Sequence, residues 1–246
     1  MLSLWSDNYI PTKPIERAMK KFGGRFSDKQ KVLDIGCGHK PYRDFFKCQY
    51  TGLDHTADLK PDIVAPAWDI PLPDNSFDGI ILNQTLEHVA KIDQTVTEIK
   101  RVLKPGGYAI ITVPQTMKNH SLALEPTEAP IDNLSTKQHP YWQVDYYRFT
   151  KYGLAYMFQD FKIIALFESN GYFGTIFQLI NYFFASLSLG LLPTPIYLVN
   201  NIIGLSLDYI GRQSRSIKHP IAQKFYYYVF TSLTINLIMV IQKPSD

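Results

Sequence analysis

The run Lys31-Val32-Leu33-Asp34-Ile35-Gly36-Cys37-Gly38 constrains this chain more than any other stretch. Val32, Leu33 and Ile35 read as a short buried strand that breaks at Gly36 into a tight turn. Gly36 and Gly38 lack a Cβ, so the backbone can bend sharply there and a flat ligand can lie against the Gly36-Cys37-Gly38 turn. Asp34 is a carboxylate inside an apolar strand end, and a buried carboxylate needs a partner. A dinucleotide-type phosphate turn would carry a third glycine. Pro41 occupies that place, so no pyrophosphate-binding helix start is implied.

The pattern around this turn is that of an α/β sheet. Thr12 and Pro14 open an apolar-basic helix that Gly23-Gly24 closes, with Ile15, Ala18, Met19 and Phe22 on one face. Tyr50–Asp54 reads as a second strand ending on a carboxylate. Its spacing from the turn suits Asp54 to binding a ribose diol, since a carboxylate offers two acceptor oxygens to two hydroxyl donors. Gly79–Leu82 is wholly apolar and leads into Asn83-Gln84, as expected of a central parallel strand with a ligand at its C-terminal end. Val89, Ile92, Val96, Ile99 and Leu103 form a helical stripe. Lys104-Pro105-Gly106-Gly107 stops it ahead of a strand over Tyr108–Val113.

Three strings in these elements carry a family resemblance. Leu33–Gly38 is similar to the first motif of the class I S-adenosylmethionine-dependent methyltransferases. Ile70-Pro71-Leu72-Pro73-Asp74-Asn75-Ser76-Phe77-Asp78, with Leu86-Glu87-His88-Val89 beyond it, resembles the broad type 11, quinone-methylating-like group. Glu98–Gly107 resembles that group's E-I-x-R-V-L-K-P-G-G. The resemblance implies a Rossmann-like sheet of seven mainly parallel strands with helices on both faces. It implies S-adenosyl-L-methionine as cofactor, with Asp34, Gly36, Cys37 and Gly38 at its amino-acid end, Asp54 at the ribose, and Asn83 and Gln84 facing the methionine half. Pro66 stands where the family carries an adenine-binding Asp. Adenine is therefore left to backbone groups of Ala67 and Trp68, with the Trp68 ring as a stacking wall. No metal ligand set is expected.

From Pro114 to Phe149 the chain reads as a long loop at the ligand edge, the place for a substrate wall. It ends in Asp145-Tyr146-Tyr147-Arg148-Phe149-Thr150, which resembles a signature in a subset of these enzymes found with cell-envelope glycan genes. His139, Asp145 and Arg148 are apt for orienting a hydroxylated acceptor. A plain Asp145–Arg148 pair that pins the loop is the equal alternative. For a base, the candidates are His139, Asp145 and His88, with a structural, hydrogen-bonded His88 as the alternative. Thr150 is placed to cap a helix over Lys151–Gln159.

A formal charge of +3 over 246 residues gives no reason to expect nucleic acid. Two cysteines without a framework suit a reducing, cytoplasmic compartment, and the start of the chain shows no secretory signal. The expected division is a core over 1–168 with its substrate loop at 115–149, an apolar helical insert over 169–232 between the last two strands, and a final strand and tail over 233–246. Phe161–Phe167 and Leu233–Gln242 are the last two strands. From Asn170 to Leu207 there is no charged residue, and Pro193-Thr194-Pro195 splits the insert into Thr175–Leu192 and Ile196–Ile210. Two readings stand: a buried helical pair in a homodimer or a lid, or a peripheral or monotopic hairpin at the inner face of a membrane, with Arg212, Arg215 and Lys218 toward anionic headgroups. The expected function is methyl transfer to a small-molecule, glycan or lipid-linked acceptor. The alternative is a non-catalytic cofactor-binding regulator or membrane-associated partner protein.

Overall fold

A computed structural model describes residues 3–118, 145–187, 194–214, 220–221 and 233–245. His139, most of the 115–149 loop, Pro193, Arg215 and Lys218 lie outside the described residues. The elements run α1 (Tyr9–Gly23), β1 (Lys31–Ile35), β2 (Gln49–Asp54), β3 (Ile63–Val64), β4 (Phe77–Asn83), α2 (Ile92–Val102), β5 (Leu103–Pro114), α3 (Lys151–Met157), β6 (Lys162–Glu168), α4 (Tyr172–Leu187), α5 (Thr194–Ser214) and β7 (Asn236–Gln242). The strands form one seven-stranded sheet in the order β3-β2-β1-β4-β5-β7-β6, with β3, β2, β1, β4 and β5 parallel.

The sheet's centre is where the sequence is most apolar. Val32, Leu33 and Ile35 of β1, Ile80, Ile81 and Leu82 of β4, and Ile110 and Ile111 of β5 are fully buried. Each contributes roughly 1.5–3 kcal/mol relative to an exposed position. Gly79 lies against Phe26 and Val32, where any Cβ would collide. α2 ends at Val102, and Lys104–Gly107, with Gly106 at φ +75°, forms an irregular first part of β5 before regular pairing resumes at Tyr108. The Oγ1 of Thr150 accepts the Gly153 N–H at 3.1 Å and caps α3 as expected.

Several element boundaries differ from the sequence reading. α1 starts at Tyr9, a turn before Thr12, and contains Pro14. Burial of Ile10 rewards that extra turn and offsets the lost donor and the ring crowding that Pro14 brings inside the helix. α2 begins at Ile92 rather than Val89, because Leu86–His88 forms a 3-10 turn of its own. α4 and α5 do fall between β6 and β7, and Pro195 sits in the first turn of α5, where its missing N–H costs least. Among the described residues no helix is long and apolar enough to cross a membrane.

The described residues pack as two units, one within Met19–Val113, Asn119–Leu166 and Met239–Asp246, the other within Met1–Ala18, Pro114–Lys118 and Phe167–Ile238. The first holds the cavity discussed next. In the second, the amides of Asn201 and Gln178 donate to backbone carbonyls of Leu4, Ser6 and Asp7. This ties the start of the chain to α4 and α5.

Candidate functional site

The topology reverses between β1 and β4, and a cavity of about 240 Å³ opens beyond the C-terminal ends of β1, β2, β3 and β4. Ligands in open α/β sheets bind at such a crossover. Gly36, Asp54, Ala67, Trp68, Gln84 and His88 line it, as do Pro66, His55, Thr56 and Thr85. Asp54 ends β2 and the others follow a strand end, so the strands place them at one edge of the sheet.

Gly36 and Gly38 both have positive φ, +70° and +49°. A Cβ on Gly36 would collide with Thr85, whereas one on Gly38 would meet nothing within 4 Å. The Gly38 turn is therefore open, with room for a ligand against its backbone. Asp54 is nearly buried, and its two oxygens accept the N–H groups of Gly38 (3.1 Å) and Thr56 (2.9 Å). These bonds fix the carboxylate at the cavity wall, and each oxygen keeps a lone pair for a further donor. Burial lowers the pKa of the neighbouring His55, against the opposing pull of Asp54.

Asp34 is placed differently from the expectation that it meets the cofactor. It is 3% exposed, does not line the cavity, and accepts a hydrogen bond from the Tyr50 hydroxyl. Burial pushes its carboxyl up to about 7, opposed by the Tyr50 bond and reinforced by the charge of Asp54. Burial, then Asp34, likewise raises the Tyr50 hydroxyl. Cys37 is also buried away from the cavity, its thiol pushed up to about 12 by burial and the nearby carboxylates. The Oδ1 of Asn83 accepts from the Thr112 hydroxyl at 2.7 Å, which turns Asn83 to the sheet instead of the cavity. Gln84 alone of that pair lines the cavity, held at φ +49° by bonds to Thr112. A non-glycine residue in that conformation stores strain, and such positions cluster at ligand sites.

The wall formed by residues 65–74 is pinned from α2. Arg101 donates to the carbonyls of Leu72 (2.7 Å) and Ile70 (2.8 Å) and to Asp74 (2.8 Å), while Glu98 accepts the Ile70 N–H (2.8 Å). Arg101 and that N–H hold the Glu98 carboxyl below its ordinary range, against some burial. The Glu98–Arg101 string thus shapes the cavity from behind. Lys91 Nζ lies 5.4 Å over the Trp68 ring at the same wall.

His88, Asp145 and Arg148 come together. His88 Nδ1 is 3.6 Å from Asp145 Oδ1, and Asp145 Oδ2 accepts from Arg148 Nη2 at 2.6 Å. The segment that carries Asp145 is held by N–H groups of Tyr146 and Tyr147 on the Glu87 carbonyl (2.8 and 3.3 Å). The Asp145–Arg148 pair is present, and it also faces a cavity histidine. Glu87, within the Leu86–Val89 string, is fully buried, and among the described residues neither carboxylate oxygen has a hydrogen-bond partner. Burial and the charge of Asp145 push its carboxyl up to about 8. An acid between the apolar Leu86 and Val89 was the available signal. Tyr50 and Thr112 carried none, since their roles arise across strands.

A family model described as a methyltransferase domain matches residues 33–111, the stretch that builds these strand ends. Residues 33–111 are a class I S-adenosylmethionine-dependent methyltransferase domain. The chain is 34% identical over 100 residues to a fatty-acid O-methyltransferase of Mycolicibacterium smegmatis, covering 34% of this chain and 36% of that protein. It is 54% identical over 79 residues to a demethylmenaquinone methyltransferase of Symbiobacterium thermophilum, covering 31% and 26%. The match thus spans well under half of either relative. Among solved structures, a geranyl diphosphate methyltransferase in complex with GPP and sinefungin superposes with a TM-score of 0.56 at 10% identity, over 94% of this chain and 78% of that one. The [4+2]-cyclase SpnF gives 0.55 at 18%, over 94% and 82%. These last two likenesses show the fold alone, and one of them carries the name of a different reaction.

Proposed function

We propose that this chain binds S-adenosyl-L-methionine in the methyltransferase domain and transfers its methyl group to a small-molecule acceptor of apolar, lipid-like or lipid-linked character. The observation that carries the reading is the cavity at the β1–β4 crossover, with Asp54 fixed at its wall and His88 beside Asp145 and Arg148. The names of the relatives support the acceptor class, since fatty acid and demethylmenaquinone are both apolar compounds. When bound, S-adenosyl-L-methionine supplies an already activated methyl group.

The residues present fit such a ligand. The open turn at Gly38 leaves space for its amino-acid end, Asp54 offers acceptors to a ribose diol, and Ala67 and Trp68 border the place for a flat base. Gln84 stands on the methionine side. Holding donor and acceptor in line is most of the protein's task, and such alignment is worth about 7–11 kcal/mol in favourable systems. For a hydroxyl acceptor, His88 takes the proton. Asp145, held by Arg148, faces the ring and stabilises the imidazolium that forms. The two buried free cysteines, Cys37 and Cys48, support a reducing, cytoplasmic setting.

Titration calorimetry with S-adenosyl-L-methionine and its demethylated product tests the cofactor. Transfer of a radiolabelled methyl group into lipid and glycan extracts tests the reaction. Binding without transfer to any extract fraction would favour the regulator reading.

A further inference from the structure

α4 and α5 arrange their side chains opposite to a helix pair built for water. Their inner face carries Thr175, Gln178, Asn181, Asn200, Asn201 and Asp208, none more than 8% exposed. Apart from Gln178 Oε1, whose partner does not lie among the described residues, these groups find their partners inside. Asn181 Nδ2 donates to Asn201 Oδ1 at 3.0 Å, and Asn200 Nδ2 donates to Asn181 Oδ1 at 2.8 Å. Asp208 accepts the N–H groups of Gly171 (2.7 Å) and Phe173 (3.1 Å). The helices also approach closely through small residues: a Cβ on Gly204 would stand 3.3 Å from the Cα of Gly174. The outer face carries Ile180, Phe183, Val199, Ile202, Ile203 and Ile210, between 36% and 64% exposed.

Glycine contacts and amide hydrogen bonds within, with branched apolar chains without, are the packing rules of helices in an apolar medium. A contiguous apolar face of this kind marks an interaction surface. We propose that the outer face of α4 and α5 beds into one leaflet of an anionic lipid bilayer. Two observations choose lipid over a second copy of the chain. A protein interface sets its register with a polar and charged rim, yet the sequence has no charged residue from Asn170 to Leu207. Where charge resumes on the surface it is basic: Arg212 is exposed at the end of α5, and the next charged residues in the sequence are Arg215 and Lys218. Basic residues beside an apolar helix face complement anionic headgroups. Entry stops at one leaflet, because no described helix is long and apolar enough to cross.

The test uses the full chain with vesicles of phosphatidylcholine alone or mixed with phosphatidylglycerol. The protein should sediment with the anionic vesicles, less so as salt rises. Phe183→Ser with Ile202→Ser should weaken that binding by about tenfold or more, since each apolar side chain kept in water forfeits its burial. A thermal melt checks that the variant is folded. Should it not fold, Val199→Trp provides the second measurement: brominated lipid should quench the added fluorescence relative to the parent chain. Protein that stays in the supernatant with both vesicle types, or an unquenched Trp, overturns the proposal. So does a dimer in sedimentation velocity that ignores vesicles and dissociates in the Ser variant. None of these readouts involves methyl transfer, so their failure leaves the proposed reaction standing.

Discussion

Gly36 is held against Thr85: a Cβ at Gly36 would stand 2.5 Å from Thr85 Cγ2 and closer still to the hydroxyl. That hydroxyl is itself anchored, donating to the carbonyls of Asn83 (3.1 Å) and Ile35 (3.3 Å). The end of β4 thus clamps the turn after β1. Gly36→Ala therefore meets both a positive φ and a fixed neighbour, and should cost roughly 1–3 kcal/mol of stability. Thr85→Ala in the same chain removes the colliding atoms and should recover part of the loss, a non-additivity that denaturant titration of the four variants reads directly. Equal stability of Gly36→Ala and the parent chain would refute the clamp.

Asp54→Ala removes the cavity's fixed acceptor and leaves the N–H groups of Gly38 and Thr56 without it. Affinity for S-adenosyl-L-methionine should fall by about 1.5–3 kcal/mol, the range for hydrogen bonds to a charged group. Calorimetry that finds the same affinity in the variant removes Asp54 from the cofactor site.

Arg148 holds Asp145 through Nη2 and the Tyr147 carbonyl through Nη1 (3.0 Å), a planar fork that lysine cannot reproduce. Arg148→Lys should lower turnover about tenfold and leave cofactor affinity intact, because the fork orients Asp145 toward His88. His88→Gln should lower it further and flatten the acidic limb of the pH–rate profile. If Arg148→Lys instead lowers the melting temperature with turnover unchanged, the pair only pins the loop.

Glu87 makes stability depend on pH. In the unfolded chain its carboxyl ionises around its ordinary 4.5, whereas burial holds it up to about 8 in the folded chain. Between those values the unfolded state binds fewer protons, so stability falls as pH rises and levels off above about 8. Glu87→Gln should match the parent chain near pH 4. It should become more stable than the parent through the neutral range, by an amount on the order of a few kcal/mol. Parallel stability curves from pH 4 to pH 8 would show that Glu87 is not held neutral.

The sequence by itself determined the β1 strand, its glycine turn, the apolar β4 and the stop after α2. These depend on local hydrophobic periodicity and on backbone conformations that only particular residues adopt. It also made Asp54 legible, because a strand end fixes where the next side chain falls. Tertiary structure decided what no local pattern encodes. The pairing of β1 with β2 brings Tyr50 to Asp34 and so takes Asp34 out of the cavity. The 3-10 turn after β4 buries Glu87 and sets His88 against Asp145. The charge-free run of the insert was visible as composition, but the orientation of its asparagines was not. A residue's facing depends on which helix packs against it, and only the α4–α5 contact could turn the polar side chains inward and leave the apolar ones outside.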